Sequence, residues 1–173
     1  MELSKIIELL FYTLPAVVTG LVAVYFFKSF TANENNRRNF LLRKEGQKAA
    51  LPLRLQAYER LTLFLERISL NKLLIRIAPT GKDPMKYSHK LTGIIEQEFE
   101  HNLAQQIYVS ETAWKAVVTS KNLMIKIIRT SAENKEIESA DQLREYILKN
   151  HMKHQGPTEA ALSFLKSEVH KIF

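Results

Sequence analysis

The sequence predicts an all-α protein in which one N-terminal transmembrane helix is followed by a compact cytoplasmic domain of about five to six helices. Three observations carry this reading. Residues 9–27 (LLFYTLPAVVTGLVAVYFF) hold no charged side chain. Beyond them, apolar residues recur three and four positions apart in one segment after another, the period of an amphipathic helix. Pro52, Pro79, Pro84 and Pro157 divide the same stretch into short pieces, each with an apolar face of its own.

The apolar run comes first. At about 1.5 Å rise per residue it makes a helix about 28 Å long, against a hydrocarbon layer of roughly 30 Å. Its polar groups suit that setting: the Thr13 and Thr19 hydroxyls can bond back to helix carbonyls, and the Tyr12 and Tyr25 rings fall near the ends. Pro15 and Gly20 inside the run loosen the helix, and Ala16 with Gly20 is a small-xxx-small pair that hints at lateral packing. A cleaved leader fits poorly, given the acidic Glu2, the length of the run and the lack of an Ala-x-Ala-like site before Asn33. Flanking charge sets the orientation. Lys5 stands against Glu2 and Glu8 before the run, whereas Lys28, Arg37, Arg38, Arg43, Lys44 and Lys48 follow it. The positive side is expected inside, which puts the N-terminus outside and the remainder in the cytoplasm of a bacterial inner membrane. The chain has no cysteine, which permits a reducing compartment without requiring one.

This gives residues 1–30 as the anchor, 31–52 as a basic juxtamembrane connector and 53–173 as the helical domain. The formal charge of +7 is uneven: residues 28–60 hold eight Lys/Arg against three Asp/Glu, and residues 91–120 reverse the sign. Within the connector, a polar stretch at 31–36 precedes a short amphipathic piece at 39–50 that is expected to break before Pro52. Leu55, Tyr58, Leu61, Phe64, Leu65 and Ile68 then mark one face of a helix ending near Ser69, with Leu63 off that face. Residues 73–77 (LLIRI) fit a helical turn or a short strand, and Pro79 and Gly81 mark a loop.

The next helix is expected from Met85 to Gln105, with Leu91, Ile94, Ile95, Phe99 and Leu103 inside and Glu96 and Glu100 outside. Ser110 reads as an N-cap for a helix burying Ala113, Trp114, Val117, Val118, Met124, Ile125 and Ile128. Ser139 with Gln142 is a capping-box pattern that opens another through Leu143, Tyr146 and Ile147. Gly156 stops that helix, and Pro157 suits the first turn of a last one carrying Ala161, Leu162, Leu165, Val169 and Ile172.

Chemistry candidates are incomplete. Glu98 and His101 have the Glu-x-x-His spacing of di-iron bundles, but such a site needs a second copy and two further inward glutamates. His151 and His154 lie three apart at a helix end, where imidazolium complements the dipole, with no carboxylate or thiol beside them. Thr80-Gly81-Lys82 lacks P-loop spacing, and no Gly-x-Ser-x-Gly elbow occurs. No catalytic residue, metal or cofactor is therefore expected.

Residues 54–69 (RLQAYERLTLFLERIS) and 98–110 (EFEHNLAQQIYVS) resemble an uncharacterised family of small single-span membrane proteins of Bacteroidota. The resemblance implies an anchored layout and supplies no catalytic or binding residue. The layout also shares the plan of the bacterial ATP synthase peripheral-stalk subunit, but the prolines argue for short pieces over one long helix. The expected function is that of a non-enzymatic scaffold or accessory subunit of an inner-membrane assembly, in contact with other membrane subunits or with a second copy. Leu63, Leu73 and Ile75 are the expected apolar contacts, with Glu96, Glu100, Gln105 and Gln106 as a polar surface. The alternative is a membrane-surface module whose Arg37, Arg38, Arg43, Lys44 and Lys48 bind anionic lipid headgroups or, less in keeping with their position beside the bilayer, nucleic acid.

Overall fold

The computed structural model describes residues 2–151 and 156–171, with the side chains of residues 2, 4, 6, 9, 10 and 151 excluded. Among the described residues there are six α-helices, one 3₁₀ turn and no strand. The helices are α1 (Glu2–Ile68), α2 (Leu70–Arg76), α3 (Pro84–Glu100), α4 (Glu111–Ala132), α5 (Ala140–His151) and α6 (Pro157–His170); the 3₁₀ turn is Leu103–Ile107. By internal contacts the chain divides into one unit at Met1–Ala50 and another at Leu51–Phe173.

In the first unit every described side chain is exposed. The unit is helical throughout its described residues, so the polar stretch at 31–36 is no break in the helix. Thr19 Oγ donates to the Pro15 carbonyl at 2.8 Å and Thr31 Oγ to Phe27 at 2.8 Å, which satisfies both hydroxyls within the helix. An 18-residue window of α1, near the N-terminus, has a mean hydropathy of 1.5 and none of it is buried, so α1 is long and apolar enough to cross a membrane by length and composition.

The expected break before Pro52 is absent, because α1 runs through to Ile68. Pro52 has no N–H, so the Lys48 carbonyl loses its intrahelical donor, but both residues are exposed and water can supply one. The flanking stretches hold the helix: residues 41–50 are rich in Leu, Arg, Lys, Glu and Ala, and residues beyond 56 are pinned by burial.

The second unit has a core of Tyr58, Leu61, Phe64, Leu65 and Ile68 from α1, Leu70, Leu73 and Leu74 from α2, Tyr87, Leu91 and Ile95 from α3, and the inward faces of α4, α5 and α6. Extended backbone at Ser69 (ψ 136°) ends α1, and α2 follows at once, so residues 73–76 are helical and Ile77 caps the helix. Asp83 caps α3, accepting from the amides of Met85 (2.8 Å) and Lys86 (3.2 Å), with Pro84 in the first turn. Ser110 caps α4 as expected, accepting from the Ala113 amide at 3.0 Å. The capping box is also present. Gln142 Nα donates to Ser139 Oγ, and Gln142 Oε1 accepts from the amides of Ser139 and Glu138. α4 packs on α3, α5 and α6, while α5 also touches α2 and α3.

α3 ends five residues earlier than the sequence suggests, and Leu103, expected inside, is 40% exposed. The cause is local. Asn102 Nδ2 takes the Glu98 carbonyl at 2.8 Å, while the Asn102 amide turns to Phe99 at 2.9 Å, tightening the chain into a 3₁₀ turn. In α4, Val118 and Trp114 are half-buried, whereas Lys121, unremarked in the sequence, is buried. Ile172 and His154 lie outside the described residues, as does the His151 side chain.

Candidate interaction surface

Two polar clusters fix how the helices of the second unit meet. In the first, Glu168 of α6 accepts from Tyr58 of α1 at 2.7 Å and from Thr112 of α4 at 3.3 Å, and the Ser110 hydroxyl donates to it from 2.7 Å. Burial would raise the Glu168 pKa, but the hydrogen bonds from Ser110, Tyr58 and Thr112 and the nearby Lys171 charge outweigh it and hold the carboxyl below its ordinary value. Tyr58 is pushed up, first by burial and then by that carboxylate. In the second cluster the Lys121 ammonium reaches Glu96 at 2.7 Å and sits 4.6 Å from the centre of the Phe99 ring. Phe99 stacks on Trp114 at 5.4 Å and meets Phe64 at 5.8 Å.

Arg67 of α1 also pairs with Glu98 of α3 at 2.8 Å, and Phe64, one turn earlier on α1, meets Phe99. Leu63 lies four residues before Arg67 and shares its exposed side of α1. Leu63 is 55% exposed, Ile107 72%, and Leu103 and Tyr108 are also open. Glu100 and Gln106 are exposed and Gln105 is half-buried. Uncovered apolar side chains together with amides and a carboxylate have the composition of a protein contact surface.

Of the contacts expected from sequence, Leu63, Glu100, Gln105 and Gln106 are thus open to solvent in whole or in part. Leu73 is not: Leu70, Leu73 and Leu74 form the buried face of the short helix α2, and Leu73 is fully enclosed. Ile75, one residue further round, is left 73% exposed. Glu96 is tied to Lys121. Ile107 and Tyr108 escaped the sequence reading, although their place between the expected helix end at Gln105 and the Ser110 cap marks them as apolar residues without a helical face.

Other candidates dissolve on inspection. The Glu98 carboxylate is taken by Arg67 and, at 3.6 Å, by Arg76, and His101 is exposed at the end of α3. Among the described residues no group of three or more His, Cys, Asp or Glu could hold a metal ion. A pocket of about 270 Å³ opens beside Thr80, Gly81 and Lys82, but Asp83 already occupies the amides of the α3 N-terminus that a phosphate would use. In the first unit, Arg37, Arg38, Arg43, Lys44 and Lys48 are all exposed; Arg37 has Glu34 at 3.7 Å.

No curated protein and no solved structure matches the chain. Residues 4–172, nearly its whole length, match one family, DUF7935, described only as a family of unknown function. The uncharacterised family suggested by the strings at 54–69 and 98–110 is met in that respect, and the chain belongs to DUF7935.

Proposed function

We propose that this protein is a membrane-anchored scaffold or accessory subunit without enzymatic activity. Residues 1–30 anchor it in the bacterial inner membrane, and the helical unit presents its contact surface on the cytoplasmic side. One observation carries the reading: the apolar window of α1 is wholly uncovered by the rest of the chain. Leaving Val, Leu and Phe side chains in water costs about 1.5–3 kcal/mol each, so a helix of this kind calls for lipid or protein around it. The internal hydrogen bond of Thr19 fits a lipid setting, where no water is at hand to take the hydroxyl. The exposed Leu63 and, on the 3₁₀ turn, Leu103 and Ile107 support a partner for the second unit.

Fractionation tests the anchor. The full-length chain should stay with the membranes after a salt wash and leave them only with detergent; recovery in the soluble fraction overturns the proposal. Purification in gentle detergent with mass measurement tests the scaffold role. A co-purifying protein that is lost in Leu63→Glu or Ile107→Glu is the expected result, and a lone monomer counts against it. A reporter fused to the C-terminus should be cytoplasmic.

A further inference from the structure

We propose that Arg37, Lys44 and Lys48, with Leu41 between them, form a docking stripe for an acidic helix of another membrane-anchored protein, and that Lys44 and Lys48 stand clear of the lipid headgroups. The inference rests on the anchor reading above.

The stripe comes from helix geometry. Positions 37, 41, 44 and 48 are spaced four, three and four, so on a helix they lie on one face, whereas Arg38 and Arg43 fall on other sides. All are exposed. The spacing is that of a helix–helix seam, with basic residues where a seam usually carries apolar ones.

Lipid is the obvious occupant, and the height of the stripe argues against it. Because α1 continues unbroken past Phe27, at about 1.5 Å per residue Arg37 stands about 15 Å beyond the apolar run, Lys44 about 26 Å and Lys48 about 32 Å. The headgroup layer is only about 5–8 Å deep. Lys44 and Lys48 therefore lie roughly two to three screening lengths beyond it, at about 8 Å each. A typical tilt of about 20° shortens these heights by only a few per cent. No proline lies between Phe27 and Lys48 to bend the helix onto the surface. A second copy is also a poor occupant, since two chains inserted the same way would set Arg37, Lys44 and Lys48 against themselves. What remains complementary is a helix with carboxylates at matching heights and an apolar residue opposite Leu41.

The absence of cysteine makes the test direct. Nitroxide labels on Phe27→Cys and Gln47→Cys in the full-length chain are compared in nanodiscs of phosphatidylcholine with and without phosphatidylglycerol. Lipid contact at 27 and water exposure at 47 in both lipids is the expected result. A label at 27 that never meets lipid sinks the anchor reading itself. Lipid contact at 27 together with a 47 label drawn to the headgroups by phosphatidylglycerol sinks only the docking stripe. In intact cell membranes, zero-length carbodiimide coupling should then join Lys44 and Lys48 to carboxylates three or four residues apart on one different polypeptide. Arg37→Glu should lower that yield by about tenfold. Coupling confined to copies of this chain, coupling to scattered carboxylates of many proteins, or a yield unchanged in Arg37→Glu overturns the inference. So does retention on duplex DNA at physiological salt that Arg37→Glu abolishes.

Discussion

Helix α1 lives in two environments. Up to Ala50 every described side chain is exposed; from Ala57 the helix buries Tyr58, Leu61, Phe64, Leu65 and Ile68, one or two per turn. Both stretches are helical, so helix formation does not distinguish them. Pattern does. Residues 9–27 are apolar on every side and have no polar face to offer water, whereas 55–68 carry an apolar stripe with Glu59, Arg60 and Arg67 outside it. The first pattern calls for an apolar surrounding on all sides, the second for a core on one.

The sharpest way to break this contrast is to truncate one large side chain in each stretch. Phe64 is 1% exposed and rests on Phe99. Phe64→Ala should cost about 3–5 kcal/mol, through lost transfer energy and the cavity left behind. Leu21, 66% exposed, has no such cavity to leave, and Leu21→Ala should move the unfolding of the second unit by less than about 0.5 kcal/mol. Urea titration of the full-length protein in detergent, followed through its single tryptophan, Trp114, reads both. Equal losses at the two positions would mean that the stretches are not distinct in the way described.

A second test sharpens what burial means for charge. The Lys121 side chain is 11% exposed and that of Glu96 is 44% exposed. The pair is therefore asymmetric. Glu96→Gln strands a buried ammonium on the Phe99 ring and should cost about 1–3 kcal/mol. Lys121→Met should cost less, because it leaves an apolar chain of similar length in place and a carboxylate that water can reach. In the first unit the Glu34–Arg37 pair, at 3.7 Å and exposed, is the control, and Glu34→Gln should change nothing measurable. If Lys121→Met proves the costlier change, the burial of Lys121 has been misjudged.

How far this could be read from sequence depends on whether the deciding contact is local. The Ser110 cap, the Ser139–Gln142 box and the Pro157 start are short-range hydrogen-bonding devices, and all three stand where the residues put them. Lys121 was legible in part. It lies four after Val117 and three before Met124, on the buried stripe of α4, but its partner Glu96 comes from α3. Three features were not announced by the residues themselves. Pro52 reads as a stop by its own chemistry and is carried through by the helix on either side. Leu73 looked like surplus apolar surface until α2 was seen to turn it inward, and the end of α3 at Glu100 has no glycine or proline to announce it. Leu63 was visible as a residue off the apolar face, while the exposure of Ile107 shows only in the structure, where it closes the 3₁₀ turn.

The Glu168 cluster gives the second unit a dependence on pH. The folded pKa of Glu168 lies below its ordinary 4.5, so its contribution is present above that pH and is lost as pH falls through the lowered folded value. Tyr58 works at the other end. Its folded pKa is raised above 10.0, so its contribution is complete below pH 10.0 and is lost as pH rises through the raised value, where a tyrosinate would face the carboxylate. Glu168→Gln should weaken the acid limb, leaving the part due to Glu145, which its hydrogen bond with Lys149 holds low, and should cost about 1–2 kcal/mol at neutral pH, since the amide still accepts from one hydroxyl. Unfolding midpoints measured across the acid range in both proteins check this. An unchanged acid limb would place the responsible carboxylate elsewhere.

The smallest expected effect compares two hydroxyls. Ser120, 2% exposed on α4, has an Oγ without a hydrogen-bond partner. Thr19, on the exposed part of α1, donates to the Pro15 carbonyl. A buried hydroxyl with no partner has given up its water and received nothing, so Ser120→Ala should be neutral or stabilise the second unit by up to about 1 kcal/mol. Thr19→Val removes a satisfied hydroxyl and keeps the shape, which in a lipid setting trades one weak internal bond for an added methyl contact. It should leave both membrane association and the unfolding of the second unit unchanged. The two substitutions delete the same group and are expected to act through different surroundings. A destabilised Ser120→Ala would mean that water or a neighbour satisfies Ser120. Loss of membrane association in Thr19→Val would mean that the Thr19 hydroxyl serves a partner helix and not only its own backbone.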